Sequence, residues 1–279
     1  MSSAIDLHTH STASDGTLTP GALVELAAAR GVEVLALTDH DLTDGLDEAQ
    51  QAALRCGIRL VPGVEISVSW RGGQTVHVVG LGIDPTHPEL RAGLARLRDY
   101  RDWRAGEIAR RLEKAGIPGA LEGARRHARG GIVGRMHFGR FLIESGRARD
   151  MRAVFRRFLV RNRPGYVAGD WAALDEAVGW IRAAGGVAVL AHPFRYRLTA
   201  TRLRELIDAF RSSGGAAIEV VSGHQQPSET AMGAELAERY ALYASRGSDY
   251  HGPSESGPEP GQVALLPPRC RPVTELLNG

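Results

Sequence analysis

Cysteine, lysine and long apolar runs are scarce in this 279-residue chain. The two cysteines, Cys56 and Cys270, stand in no metal-binding spacing. That excludes a disulfide framework and a thiolate zinc site, and it suits a reducing cytoplasm. No apolar run approaches the ~20 residues needed to span a bilayer. The opening MSSAIDLHTH has neither the basic nor the apolar region of a secretion signal. The expectation is a cytoplasmic protein with no membrane partner. Low complexity is confined to GPSESGPEPG, and there are no internal repeats. A hydrophobic content of 43% supports an ordinary core, in one large α/β domain or in a domain with an insertion.

Charge is present in quantity but unevenly spread. Residues 88–170 hold 19 Arg and one Lys against nine acids, a net of +11, whereas the remainder carries −9. A basic segment of this strength suits a polyanionic substrate. With 33 Arg and a single Lys (Lys114) in the chain, the choice of Arg also reflects composition, and a solvated basic surface is the alternative.

Strand and helix patterns alternate at both ends of the chain. AIDLH, VEVLALTDH and IRLVPGVE read as strands. TPGALVELAAARG and DEAQQAALRCG read as helices, the first capped by Thr19 and ended by Gly31. ISVSWRGGQTVHVVGLGI reads as two strands about a Gly-Gly turn. From Leu174 the alternation returns through VAVLAH, AAIEVV and ALYASRGSDYH, with QVALL as a last strand. Such alternation predicts parallel pairing. Between them, LRAGLARLRDYRDWRAGEIARRLEKAG, MHFGRFLIESG and DMRAVFRRFLV read as helices with no convincing strand. The expected organisation is an α/β barrel from 1–87 and 171–279, interrupted by a helical, basic insertion at 88–170.

Nine metal-ligand side chains follow or end the strand patterns: His8, His10, Asp15, His40, Glu65, His77, His192, Asp249 and His251. Strands of one barrel converge at their C-terminal ends, so residues far apart in sequence can meet there. His8 and His10, two apart on a strand, share a face. Any one of these histidines could be structural. Nine such positions together, three of them acids that repel unless cations offset them, point to a metal centre. Imidazoles and carboxylates without thiolate suit zinc, manganese or iron. Asp39 and Asp41 are expected to orient ligands rather than bind metal.

IDLHTHSTASDG, LALTDHD, PGVE, VLAHP and GSDYH resemble the motifs of the PHP phosphoesterase family (polymerase and histidinol phosphatase domains), in order from Ile5 to about Gly252. The chain is most similar to the branch of stand-alone bacterial enzymes acting on nucleoside 3′,5′-bisphosphates and RNA 5′ ends, which also carries a helical insertion and a phrase like GRMHF. The resemblance implies a distorted (β/α)7 barrel and a trinuclear site. One ion would take His8, His10, Glu65 and Asp249. A second would share Glu65 and take His77 and His192. The third would take Asp15, His40 and His251. An acid at position 15 is typical of that branch and favours manganese, with zinc or iron as alternatives.

The activity this implies is hydrolysis of the 3′-phosphate of a nucleoside 3′,5′-bisphosphate, such as pAp to AMP, or 5′-to-3′ trimming of short RNA. A hydroxide bridging two metals would attack phosphorus in line. His8, His10, Glu65, His192, Asp249 and His251 would form the catalytic centre. Arg135 and His137 of GRMHF are candidates for a non-reacting phosphate, since arginine matches phosphate oxygens with a planar fork. Arg101, Arg104, Ser222 and His224 are further candidates for substrate contact, and Tyr166 and Trp171 for base stacking. Neither duplex DNA nor an obligate protein partner is expected. Histidinol phosphate or another small phosphomonoester is the alternative substrate. A lysine-bridged amidohydrolase centre is disfavoured because Lys114 lies in the insertion. A non-catalytic nucleic-acid-binding module would be expected to have lost some of the nine ligands.

Overall fold

Seven strands, hydrogen-bonded in chain order, nearly close into a barrel in the computed structural model, which describes residues 4–223, 225–253 and 257–277. The first half is built from β1 (Ala4–Asp6), α1 (Pro20–Ala29), β2 (Val32–Leu37), α2 (Leu46–Cys56) and β3 (Arg59–Trp70). Thr19 caps α1 by accepting from the Ala22 amide, and Pro20 occupies its first turn, where no amide is needed. Gly57, at φ 69°, ends α2 in the left-handed conformation that glycine adopts without penalty. The second half runs through α7 (Leu174–Ala183), β5 (Val187–Leu190), α8 (Ala200–Ser212), β6 (Ala217–Ser222), α9 (Pro227–Arg239) and β7 (Tyr243–Gly247). Closure comes from the first and last strands: the Leu7 amide donates to Arg246 at 3.1 Å, and the Asp249 amide to His8 at 2.8 Å.

Pairing is not parallel throughout. β4 (Gln74–Leu81) runs antiparallel to both β3 and β5. Gly72 and Gly73, at φ 72° and 78°, fold the chain straight back, and a return without a crossover must be antiparallel. IRLVPGVE and ISVSW, read as separate strands, form the single twelve-residue β3. Its start pairs with β2, and its far end with β4 and, through a lone bridge at Val68, with Ala172, so the tip of this hairpin stands above the barrel rim. QVALL, expected as a strand, joins no sheet and follows an irregular path.

Residues 88–170 contain α3 (Pro88–Lys114), α4 (Ala120–Ala128), α5 (Arg135–Glu144) and α6 (Met151–Val154), which runs into a π-helical turn at Phe155–Leu159. Four apolar residues of α3, Leu94, Leu97, Ile108 and Leu112, are buried, in two cores. Leu94 and Leu97 join the barrel core beside Val178 and Ile181. Ile108 and Leu112 belong to a second cluster with Phe138, Leu142 and Leu159. The long helix therefore spans the seam and ties the two cores together. Among the described residues, no helix is long and apolar enough to cross a membrane.

Candidate metal centre

All nine expected ligands converge at one barrel mouth, although not all from strand ends. His8 and His10 follow β1, His40 follows β2, His192 follows β5, and Asp249 and His251 follow β7. Glu65 and His77 instead lie within β3 and β4, because the hairpin continues past the rim. His192 and Asp249 have φ of 27° and 52°, a left-handed region costly for any residue but glycine. The chain turns abruptly as it leaves each strand, and the strain sits on ligand positions.

Glu65 is fully buried at the centre of the cluster. Its Oε1 lies 2.9 Å from His77 Nδ1 and 2.8 Å from His192 Nε2. Its Oε2 lies 2.9 Å from His40 Nδ1 and 3.4 Å from both His8 Nε2 and His10 Nε2. Three sets of donor atoms each fall within 4.8 Å of one another: His8, His10, Glu65 and Asp249; His10, Asp15, His40 and His251; and His40, Glu65 and His77. The first matches the grouping implied by resemblance. In the second His10 joins Asp15, His40 and His251; in the third His40 stands with Glu65 and His77 where the resemblance implied His192, which falls in none of the three sets.

The donor chemistry fits divalent cations. His10 Nδ1, Asp15 Oδ1, His40 Nδ1, Glu65 Oε2 and His192 Nδ1 are buried without a hydrogen-bond partner among the described residues. His40 Nδ1 and Glu65 Oε2 are close yet lack hydrogen-bond alignment, as expected of lone pairs aimed at a shared ion. Burial alone would raise the acids. The imidazoles of His251, His77 and His8 and the guanidinium of Arg195 outweigh it, holding Asp15, Glu65 and Asp249 well below the usual carboxylate range. Burial pushes His10 down to about 3, so its ring is neutral and able to ligate.

Glu219 is a contributor that the sequence reading missed. It lies on β6 within AAIEVV and is 1% exposed. Its Oε1 accepts from His8 Nδ1 at 2.6 Å, and its Oε2 from the His192 amide at 2.7 Å. Holding the proton on His8 Nδ1 leaves Nε2 free to ligate. The available signal was an acid inside an otherwise apolar buried strand. Glu219→Gln is expected to weaken manganese affinity ~10- to 100-fold, read from a metal titration. A titration matching the unsubstituted protein would remove Glu219 from the centre. Asp39 and Asp41 flank His40, and their side chains bond residues other than the nine candidate ligands. Asp39 accepts from the Ser11 amide and from the hydroxyls of Ser11 and Ser14. Asp41 accepts from the Ser67 amide and Arg101.

A cavity of about 500 Å³ opens over the cluster, lined by Arg101 and Arg104 of α3, by Arg135 of α5 and by Arg195 beside Asp249. Arg104 donates to the Val167 carbonyl, while its Nε has no partner among the described residues. Burial and then the neighbouring Arg135 bring Arg104 down to about 9. Trp171 also lines the cavity, beneath Arg101 and Arg104 at 5.0 and 5.3 Å. Arg195, in HPFRY, was not singled out from sequence, where one arginine among 33 carries little signal.

Several substrate candidates stand elsewhere. His137 is 1% exposed, lines no part of this cavity, and accepts from the Gly134 amide at 3.0 Å, so it closes the start of α5. Burial holds it down to about 4. Ser222 lines a separate pocket of about 200 Å³ with His192 and Arg195. Tyr166 is absent from both linings. His224 lies outside the described residues. Lys114 is exposed near the end of α3, so no lysine can bridge ions here.

Barrel, buried carboxylate–imidazole cluster and basic wall together define a hydrolase of the metal-centred barrel class. The chain belongs to the PHP domain family. The family's model, the PHP domain, matches residues 6–122. The chain is 51% identical to the 3′,5′-nucleoside bisphosphate phosphatase of Chromobacterium violaceum over 96% of its length and 94% of the relative's. It is 49% identical to the 5′-3′ exoribonuclease Rnm of Escherichia coli, over 89% and 85%. It also resembles the solved structure of an amidohydrolase from Chromobacterium violaceum, with bound sulfate and no metal, at TM-score 0.94 and 50% identity, covering 99% and 96%.

Proposed function

We propose that this protein is a metal-dependent phosphoesterase that hydrolyses the 3′-phosphate of nucleoside 3′,5′-bisphosphates. One observation carries the reading: a single cavity is lined both by candidate ligands, Glu65, His192 and Asp249 among them, and by the arginines Arg104 and Arg135, which have no carboxylate partner among the described residues. A substrate with a reacting phosphate and a second anion satisfies both groups. The relatives' activities on a bisphosphate nucleotide and on RNA support it. Short RNA trimmed from its 5′ end is the second reading, favoured by the exoribonuclease relative, because the same chemistry acts on a 3′-linked phosphate.

The three donor sets would hold up to three ions, manganese before zinc or iron, since Asp15 adds a hard oxygen donor to the set of His10, His40 and His251. When bound, such ions supply Lewis-acid charge at phosphorus and water of lowered pKa. The chain's own residues supply the rest. Glu219 fixes the His8 tautomer. Arg195 stands between Asp249 and the cavity, where it can hold a phosphate oxygen. Arg135 and Arg104 orient the non-reacting phosphate, and Trp171 offers its ring to the nucleoside.

The test is a panel with manganese: bisphosphonucleotides, mononucleotides, histidinol phosphate and 5′-phosphorylated oligoribonucleotides. Bisphosphates, or the oligoribonucleotides, should be preferred. Arg135→Met should raise the KM for a bisphosphate about 10- to 100-fold, the loss of one charge-assisted contact, and leave turnover of a mononucleotide unchanged. Equal rates on mononucleotides and bisphosphates would remove the second-phosphate role. A metal-loaded protein that cleaves nothing would favour a binding module instead.

A further inference from the structure

Asp15 differs from the other eight candidate ligands in lying well beyond a strand, on the loop 11–16. Two jaws grip that loop. From the barrel side, the Asp39 carboxylate accepts from the Ser11 amide at 2.8 Å, the Ser11 hydroxyl at 2.6 Å and the Ser14 hydroxyl at 2.5 Å. From the insertion side, Arg140 on α5 donates through Nη2 to the Asp15 carbonyl at 2.7 Å. The Ile132 amide reaches the Ala13 carbonyl at 3.4 Å. Gly131 approaches so closely that an added Cβ would lie 2.6 Å from the carbonyl oxygens of both Thr12 and Ala13. These oxygens are backbone, so no side-chain rotation could relieve the clash.

We infer that the helical insertion is part of the metal centre: Arg140 and Gly131 hold the Asp15 loop in register, and one ion of the cluster depends on them. The inference rests on the metal-dependent reading above. Of the three donor sets, only that of His10, Asp15, His40 and His251 includes a residue on this loop. Asp15 Oδ1 is 3.3 Å from His251 Nε2, and Oδ2 is 3.8 Å from His40 Nε2, so a small movement of the loop opens the set. The other two sets ride on strands or the turns directly after them and include no residue of the loop that Arg140 and Gly131 touch. Arg140 is a positioning residue, because it touches the peptide oxygen of Asp15 and not the ligating atoms. An outer contact of this kind typically governs ~10- to 100-fold in metal affinity.

The experiment uses the full chain, stripped with a chelator and dialysed against graded free manganese, with bound metal measured by mass spectrometry. The unsubstituted protein should bind three ions. Arg140→Met keeps the aliphatic stem and loses the donor. It should weaken one ion ~10- to 100-fold and leave two at their original affinity. Gly131→Val should do the same by displacing the loop. In an Asp15→Ala background, Arg140→Met should weaken nothing further. If Gly131→Val does not fold, Arg140→Met decides alone, with its far-ultraviolet circular dichroism compared to the parent. Three ions at unchanged affinity in Arg140→Met would overturn the inference, as would an equal weakening of all three. If the unsubstituted protein binds two ions at every concentration, the three-ion reading fails and takes this inference with it.

Discussion

Glu65→Gln should lower kcat/KM at least ~10³-fold while the barrel stays folded. The glutamine keeps the shape of the side chain and removes the one carboxylate that approaches His8, His10, His40, His77 and His192 together. An amide nitrogen in place of Oε1 or Oε2 would present protons to ring nitrogens whose lone pairs converge there. Cations near a reacting phosphate contribute several kcal/mol to transition-state stabilisation, and each ~1.4 kcal/mol is a factor of ten. Two measurements check this: turnover of a nucleoside bisphosphate, and the rise in melting temperature on adding manganese, which should be largely lost in the variant. Turnover within tenfold of the parent would mean that Glu65 bridges nothing.

Chelation should abolish activity, manganese should restore it, and the stabilisation by manganese should grow with pH as the metal-free stability falls. In the metal-free protein, burial alone would lower His251, but Asp15 and Asp249 push it up to about 10, from an ordinary 6.5. Burial likewise opposes His8, and Glu219, Glu65 and Asp249 prevail to raise it well above that value. A raised histidine contributes stability that is complete below its unfolded pKa and is lost as pH rises through the folded one. The lowered carboxylates Asp15, Glu65 and Asp249 contribute above the usual carboxylate range and lose that contribution only in acid. The metal-free melting temperature should therefore fall as pH rises from 6.5 towards 10. Metal binding needs these imidazoles neutral, so the shift produced by manganese should grow across the same window. A manganese shift that shrinks from pH 6.5 to 8 would show that the ions do not displace protons from His8 and His251.

Much of this site was legible in the order of residues because each ligand sits beside a strong local signal. A strand is marked by its apolar, β-branched run, and a polar residue at its end stands out, as His40 does after VEVLALT. The hairpin was legible from its glycines, but its consequence was not. That β4 runs backwards, putting His77 within a strand, depends on which neighbour β4 pairs with. Glu219 and Arg195 were missed for another reason. Their roles come from contacts across 211 and 54 residues, to His8 and Asp249, and nothing local distinguishes them. His137 shows the converse: a suggestive motif position that folding turns inward, towards the Gly134 amide.

The sequence by itself determined the chemistry, because donor type is a property of the side chain: imidazole and carboxylate, no thiolate, no lysine within reach. It also set the alternation that makes a barrel, through the periodicity of apolar residues. Only the tertiary structure decided which donors come together, which arginines line the same cavity, and that Arg140 and Gly131 meet the Asp15 loop. The reason is physical. Coordination and hydrogen bonding act over about 2–4 Å, a scale set by how distant segments pack and not by spacing along the chain.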